Sequence, residues 1–289
     1  SAEAHSGYDL LLSGSVAENL YTSAGYTSFG STKIFGNLST KSGGPVVQSG
    51  PINVTGSTEI DSQNQPICLT NSGNHFNGTV ALTGSTIEIT DSGKLSLILA
   101  AESVLINSAN DLYFEGKTDG FAKVSSGGNT IFGNLSVAGP LSIIANGSIE
   151  NKGRIQITGH ASLEAGINSA IVLEGANKFS TFSAQHSGSV KLLGASLSEI
   201  RVNQVNDVEL GFNTLAGSEA DGIRISSGHS VNIHGNTVGL INKTGIRIES
   251  SKEIRVVGNT VSQSGGDGIS IVGSPYSNII ANVISEAGG

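Results

Sequence analysis

Short apolar segments that alternate with polar residues fill the last quarter of the chain, and they recur every 23 residues. This interval divides the stretch into four copies, residues 198–220, 221–243, 244–266 and 267–289. The first aligned apolar column consists of Ile200, Ile223, Ile246 and Ile269, and the second of Val202, Ile225, Ile248 and Ile271. A period in the twenties built from short alternating segments is typical of a solenoid. Because no segment has helical periodicity, the pattern predicts a parallel β-helix with about 23 residues per coil.

Each copy contains two strand patterns separated by turn compositions. In residues 223–225 (IRI) the period of two places both isoleucines inside and the arginine outside. Residues 231–233 (VNI) repeat this alternation after a turn of sequence SSGH. The sequence therefore predicts two short strands in each coil, both with an inward apolar face.

An asparagine recurs at one offset in every copy, at the corner that follows the second strand. The four members of this column are Asn213, Asn236, Asn259 and Asn282. Asparagine tolerates left-handed backbone angles and suits a tight bend. Stacked at the strand spacing of about 4.8 Å, these side chains are expected to form an inward ladder of amide hydrogen bonds along the solenoid axis.

A column of arginines is the main candidate for recognition chemistry. Arg201, Arg224 and Arg247 occupy the same outward position on successive coils. Three stacked guanidinium groups repel one another unless an anion lies among them. One interpretation is a solvated face with local ion pairs to Glu199 and Glu249. The other is a cationic stripe that binds a sulfated or uronic-acid glycan, because the guanidinium fork binds such anions in bidentate fashion.

A longer repeat precedes these copies. Residues 31–39 (STKIFGNLS) resemble residues 128–136 (GNTIFGNLS), and Ile34 and Ile131 are 97 positions apart. Each copy is followed by a strand pattern that begins with proline, at Pro51 and at Pro140. The pattern predicts that Ile34 and Ile131 occupy equivalent positions in earlier coils of the same solenoid.

A family resemblance lies in residues 74–82 (NHFNGTVAL), which lead into residues 87–89 (IEI) and 95–97 (LSL). This run resembles the repeats of large secreted bacterial adhesins of the filamentous-haemagglutinin type. A second block keeps Asn177 and Phe179 but then departs from the motif. The coils from Ser198 onward are similar to β-helix repeats of carbohydrate-binding and sugar-hydrolysing proteins. The resemblance implies a right-handed parallel β-helix, and 289 residues at the predicted coil length correspond to roughly 12 coils.

Composition supports a chain of many turns and short strands. It contains 40 glycines, 13% charged and 5% aromatic residues, and neither tryptophan nor methionine, so the predicted core is Ile, Val, Leu and Ala. The lone Cys68 is expected to be a buried thiol without a disulfide. We predict an N-terminal cap or donor segment over 1–30, adhesin-like coils over 31–197 and regular coils over 198–289, with the last two forming one continuous solenoid.

Charge and patterning limit the expected partners. The net charge of −8 and the lack of a basic tract argue against nucleic acid, and no apolar stretch is long enough to span a membrane. No cofactor and no metal is expected, because Asp221 and Asp267 fall two coils apart. The last repeat ends in register without a cap, which favours head-to-tail stacking of copies of this chain. An acidic glycan is the other expected partner.

The predicted function is an extracellular structural or adhesive β-helix segment at the bacterial cell surface. It would be the stalk of a secreted surface protein or the subunit of a fibre. The sequence shows no cluster of carboxylates with a base, so no catalytic residue is assigned and an enzyme is not expected. Two alternatives stay open: a carbohydrate-active enzyme of the lyase, hydrolase or epimerase type, and a glycan-binding module without turnover.

Overall fold

The structure is a computed structural model that describes residues 1–288. Gly289, which closes the fourth predicted copy, lies outside the described residues. The described chain is all β, with no helix and therefore no helix able to cross a membrane. It divides into two compact units, the first from Ser1 to Gly139 and the second beginning at Pro140.

The first unit contains fifteen strands in the described chain. They are β1 (Ala2–His5), β2 (Asp9–Val16), β3 (Leu20–Ala24), β4 (Tyr26–Ile34), β5 (Leu38–Ser42), β6 (Val46–Gln48), β7 (Ile52–Val54), β8 (Thr58–Asp61), β9 (Ile67–Leu69), β10 (His75–Phe76), β11 (Thr79–Asp91), β12 (Leu95–Ser108), β13 (Leu112–Thr118), β14 (Ala122–Ser126) and β15 (Thr130–Val137). Strand β1 pairs with β3 and β2 with β4, all in parallel. Residues 1–30, for which the sequence predicts a cap or donor segment, therefore lie in stacked coils.

The second unit contains nineteen strands in the described chain. They are β16 (Leu141–Ala145), β17 (Ile149–Asn151), β18 (Ile155–Glu164), β19 (Ala170–Glu174), β20 (Lys178–Gln185), β21 (Ser189–Leu193), β22 (Ser196–Leu197), β23 (Glu199–Asn203), β24 (Asp207–Gly211), β25 (Thr214–Ala216), β26 (Ile223–Ser226), β27 (Ser230–His234), β28 (Thr237–Ile241), β29 (Ile246–Glu249), β30 (Ile254–Val257), β31 (Thr260–Ser264), β32 (Ile269–Val272), β33 (Ser277–Ile280) and β34 (Val283–Ala287). Each strand pairs in parallel with the strand one coil later, as β23 does with β26 and β26 with β29.

The predicted fold class is confirmed, because the described strands stack in parallel as a β-solenoid. The coil length differs from the prediction. The 23-residue interval holds where Ile200 pairs with Ile223 and Ile223 with Ile246, whereas Thr22 contacts Thr40 only 18 residues later in the first unit. The strands lie about 19 residues apart on average and make about 15 turns in total, more than the dozen expected.

A third strand completes each regular coil. The sequence patterns predict two strands, but β28 and β31 add a third between the asparagine corner and the next coil. Only Val238 and Ile241 of β28 are buried, while Leu240 is 60% exposed and has a left-handed φ of 55°. This interruption of the alternation explains why the strand was missed.

Left-handed residues recur at 23-residue intervals in the regular coils, at two corners and in or next to the third strand. One such series is Gln204, Ser227, Ser250 and Gly273, the next is Phe212, Gly235, Gly258 and Ala281, and the third is Gly217, Leu240, Gln263 and Glu286. At the asparagine corner the left-handed residue is the one before the asparagine, as with Gly235 (φ 61°) before Asn236. The expectation that asparagine itself supplies the bend is therefore wrong.

The core consists of stacked aliphatic columns together with phenylalanine. Ile200, Ile223 and Ile246 are completely buried, as the alternation predicts. Six of the nine phenylalanines are also buried, which the expected aliphatic core does not include. They are Phe29, Phe76, Phe114, Phe132, Phe179 and Phe182. The Phe114 and Phe132 rings meet edge to face, with centroids 5.2 Å apart, a favourable aromatic geometry.

The predicted 97-residue repeat is out of register. Ile34 is buried and Phe35 is 51% exposed, whereas Phe132 is buried and Ile131 faces outward. A shift of one position exchanges the two faces of a strand. An offset of 103 matches inward residues instead: Phe29 corresponds to Phe132 and Ile34 to Val137.

Candidate functional site

The three predicted arginines lie in one column on the outer surface of the second unit. Arg201 is the register partner of Arg224, and Arg224 is the partner of Arg247. Their neighbours along each strand are buried isoleucines and valine, so the alternation turns every guanidinium group outward. Ser183 extends the column by one coil before Arg201 and Ser270 by one coil after Arg247. We call this surface the arginine face.

Carboxylates lie among the guanidinium groups of the arginine face. Glu249 Oε2 accepts a hydrogen bond from Arg224 Nη2 at 3.0 Å, and its Oε1 accepts from Arg247 Nε at 2.8 Å. Glu199, which is 9% exposed, accepts from Arg201 Nε. The hydrogen bond from Arg247 holds the pKa of Glu249 below its ordinary value, and the same contact raises the pKa of Arg247.

The arginine face is therefore not a purely cationic stripe. Three guanidinium groups share two directly bonded carboxylates, and Asp221 and Asp267 add further negative charge that acts on Arg247. This is the arrangement expected for local ion pairs on a solvated face. Binding of an acidic glycan at these arginines stays a prediction.

A histidine and two hydroxyls lie at the start of the arginine face, and the sequence patterns did not indicate them. His160 ends a register shift in β18 that begins at Ile157. Its Nε2 is 2.9 Å from Ser183 Oγ, and its Nδ1 is 2.6 Å from Thr181 Oγ1. His160 and Ser183 are separated by 23 residues. Extending the regular period backward beyond Ser198 is the one sequence signal that would have paired them.

A concave pocket of about 290 Å³ opens beside this histidine. It is lined by His160, Thr181, Phe182, Glu199 and Arg201. Partial burial lowers the pKa of His160, the positive charge of Arg201 lowers it further, and Glu199 opposes the shift. The imidazole is therefore mainly neutral near pH 7, which is the form able to accept a proton.

The four predicted asparagines form a continuous chain of hydrogen bonds. Asn236 Oδ1 accepts from both the main-chain N–H (2.9 Å) and the side-chain Nδ2 (3.0 Å) of Asn213. Asn259 accepts in the same way from Asn236, and Asn282 from Asn259. Each Nδ2 also donates to a main-chain carbonyl of the preceding coil, such as Leu210 for Asn236. These amides, of which Asn282 alone is half-exposed, satisfy the corner backbone, which is a structural role.

Two histidines of the regular coils and the lone cysteine lie apart from any common site. His229 is exposed, and His234 is bonded to Glu209 at 3.3 Å on a different strand series from the arginine face. Cys68 lies between buried Ile67 and Leu69 and is itself half-exposed, so the expected buried thiol is wrong. Burial and the neighbouring Glu88 raise the pKa of this thiol. Among residues 1–288 no group of three His, Cys, Asp or Glu side chains is placed to hold a metal ion.

Two segments of the chain repeat one hydrogen-bond arrangement. Asn74 Oδ1 accepts from the N–H of Ile52 at 2.9 Å, and Asn177 Oδ1 accepts from the N–H of Ile155 at the same distance. Gln48 and Asn151 are the next equivalent pair. Gln48 Oε1 accepts from the N–H of Asn71, and Asn151 Oδ1 from the N–H of Glu174. Every pair in this comparison is related by the offset of 103 positions.

Comparison with known proteins agrees with this duplication. No match was found among curated proteins or among solved structures. Two segments, residues 17–83 and residues 119–185, match a single family model. Their starting points are 102 positions apart, close to the offset that superimposes the two hydrogen-bond arrangements. The family is described as repeats of unknown function (DUF5649).

Proposed function

We propose that this β-solenoid is a structural and adhesive segment of an extracellular bacterial surface protein, in which the stacked coils act as a stalk. The observation that supports a structural role most directly is the pairing of the three arginines of the arginine face with neighbouring carboxylates. Glu249 binds two guanidinium groups at once, and the strands beneath them continue in register from coil to coil. Such a surface is soluble and the core below it is continuous, as in other repeat solenoids.

Protease resistance tests the stalk proposal. A segment that functions outside the cell must keep its backbone paired, although the chain offers 15 lysines and arginines to trypsin. We expect trypsin to leave the coils intact under native conditions, because cleavage requires local opening of paired strands. A matched digestion in urea gives the cleavage pattern of the unfolded chain. Rapid native cleavage within 198–287 would contradict the proposal.

The adhesive part of the proposal concerns the arginine face. Its aligned guanidinium groups favour an acidic glycan as the ligand. A panel of sulfated, uronic-acid and neutral polysaccharides should be followed for both binding and product release. The test variant replaces Arg201, Arg224 and Arg247 by glutamine. The control variant is Arg255→Gln, on another strand series of the same coils.

Three outcomes of this assay are informative. Binding that the triple variant loses and Arg255→Gln keeps supports an adhesive arginine face. New reducing ends or unsaturated uronates favour the carbohydrate-active enzyme. The absence of both removes the adhesive part and leaves a stalk. The fibre form of the proposal is tested separately, because it predicts end-to-end assemblies in sedimentation and electron microscopy.

A further inference from the structure

The contact between His160 and Ser183 exceeds what a structural coil requires. Both side chains face outward, so neither fills the core. The imidazole lies between two hydroxyls on the next coil, with Nε2 at 2.9 Å from Ser183 Oγ and Nδ1 at 2.6 Å from Thr181 Oγ1. A serine hydroxyl within hydrogen-bond reach of a histidine whose second nitrogen is also held is the arrangement of an activated nucleophile.

We propose that Ser183 and His160 form a nucleophile–base pair that accepts the acyl group of a small ester, with Thr181 as a positioning residue. This activity goes beyond the structural and adhesive function proposed above. Thr181 Oγ1 holds the imidazole at Nδ1. When the imidazole proton is on Nδ1 and is donated to Thr181 Oγ1, the lone pair of Nε2 points to the Ser183 hydroxyl, which donates to it.

The reaction balances with water as the only co-reactant. Ser183 Oγ forms a bond to the ester carbonyl carbon while its proton moves to His160 Nε2. The carbon–oxygen bond to the alcohol then breaks, and His160 returns the proton to the departing alcohol oxygen. Water, deprotonated by His160, then attacks the acyl carbon. The bond from Ser183 Oγ to that carbon breaks, His160 returns the proton to Ser183 Oγ, and the carboxylic acid leaves. Arg201 is the register partner of Ser183 on the next coil and lines the pocket beside His160, so it is the cation available to the oxygen that becomes negative.

The pocket limits the substrate to a small one. Its volume of about 290 Å³ lies just below the range of roughly 300–1,000 Å³ that is typical of ligand sites. Arg201 is neutralised by its ion pair with Glu199 in the pocket wall, which fits an uncharged acyl group on an alcohol, such as an acetyl ester. Glu199 is bonded to Arg201, which fixes the guanidinium group at the pocket wall.

Covalent labelling of the whole chain tests the pair directly. An alkyl fluorophosphonate reacts at an activated serine: the Ser183 Oγ–P bond forms, the P–F bond breaks, fluoride leaves and the proton moves to His160. We expect one adduct per chain by intact mass and its location at Ser183 by peptide mapping. The matched control is Ser162→Ala, because Ser162 is the register partner of Ser183 on the previous coil and is equally half-buried.

Variants at the pair decide the outcome. Ser183→Ala should abolish the adduct, and His160→Gln should lower the labelling rate about 100-fold or more, while Ser162→Ala labels like the parent. Thr181→Val should slow labelling and move the pH at which the rate levels off, with unchanged thermal melting. In the parent the rate should reach half of its plateau value below pH 6.5, because burial and Arg201 lower the pKa of His160 from that ordinary value. No adduct at Ser183, equal adducts at Ser162 and Ser183, or a rate independent of His160 would each overturn the proposal.

Discussion

The regular coils of the second unit and the coils of the first unit bury their cores with different side chains. From Ile200 onward, a constant 23-residue coil places identical residues above one another, in isoleucine columns and in the asparagine ladder. In the first unit, coils of 17 or 18 residues stand beside others of 22. There the stacked inward positions change residue type from coil to coil: Ile67 pairs with Ile87 and Ile87 with Val104, while Phe114 packs against Phe132. A constant coil length thus accompanies columns of one residue type, and a variable one accompanies columns of mixed types.

The largest effect is expected from placing a charge inside a column of the regular coils. Ile246→Asp buries an unpaired carboxylate at a position that is fully buried in the parent. We expect a loss of several kcal/mol, roughly 4 or more, in the free energy of unfolding. Urea denaturation followed by circular dichroism measures this.

The matched control for this variant is Thr260→Asp, an exposed position in the same coil, with an expected change of less than about 0.5 kcal/mol. If Ile246→Asp unfolds like the parent, the column does not stabilise the coils as described.

The first unit offers the parallel test. Phe114→Ala should lower the free energy of unfolding by about 3–5 kcal/mol, because loss of the packed ring leaves a cavity.

The asparagine ladder gives the next largest effect. Asn236→Ala removes the acceptor of the Asn213 N–H and Nδ2 and the donor to the Leu210 carbonyl. Buried groups left without partners cost about 1–3 kcal/mol each, so we expect a total loss of about 3 kcal/mol or more in the free energy of unfolding. Asn232→Ala, an outward residue on the adjacent strand, is the control and should be nearly neutral. Equal losses at the two positions would show that the ladder has no special role.

Buried threonines of the first unit should respond in opposite directions. The hydroxyl of Thr58 is buried without a hydrogen-bond partner, whereas that of Thr22 bonds to Thr40. Replacing the unpaired hydroxyl by a methyl group removes a desolvation cost, so Thr58→Val should raise the unfolding free energy by about 1 kcal/mol. Thr22→Val should lower it by a similar amount, because Thr40 loses its partner. Thermal melting of both variants measures the two changes. A change of the same sign in both would contradict this assignment.

The smallest effect concerns acid stability at the arginine face. Hydrogen bonds from Arg247 and Arg224 keep the folded pKa of Glu249 below its ordinary value of 4.5. The ion pairs therefore stabilise the fold fully above that pH, and the contribution is lost as the pH falls through the lowered folded pKa. Glu249→Gln should reduce the fall in melting temperature between neutral and acid pH. Glu253→Gln, an exposed carboxylate nearby in sequence, is the control. If the fall in melting temperature at acid pH is the same in Glu249→Gln as in the parent, these ion pairs do not contribute to acid sensitivity as described.

The sequence predicted the regular coils because their chemistry repeats at a constant distance. The alternation of Ile223, Arg224 and Ile225 shows which side chains point inward. The copies of these residues 23 positions away show which strand pairs with this one. The third strand was missed because Gly239 and Leu240 break the alternation, and Leu240 has a left-handed backbone. The similar sequences around Ile34 and Ile131 predicted a repeat of 97 residues. The buried residues of the two segments are instead 103 positions apart.

The candidate sites were predictable to different degrees. The arginine column follows from the period alone, since Arg201, Arg224 and Arg247 differ by one coil each. Which carboxylate each arginine binds depends on side-chain rotamers, which the repeat pattern does not specify. The sharing of Glu249 by two arginines therefore could not be predicted from the sequence. His160 and Ser183 escaped notice because a register shift precedes His160 and the coil between Phe182 and Ile200 is shorter, at 18 residues. Such local insertions change which side chains meet without changing the apolar pattern.

Because the asparagine bonds in the regular coils always join residues 23 positions apart, one whole coil can be removed or added while every remaining amide keeps an equivalent partner. Excision of residues 221–243 would bring Ile200 beside Ile246, Arg201 beside Arg247 and Asn213 beside Asn259, and neither the core nor the charge pattern would change in kind. Gene duplication and unequal recombination could therefore alter the number of coils in steps of one without passing through an unfolded intermediate. In this part of the molecule, selection can adjust length in steps of one coil, and each coil changes the stability by its own contribution and that of its interface.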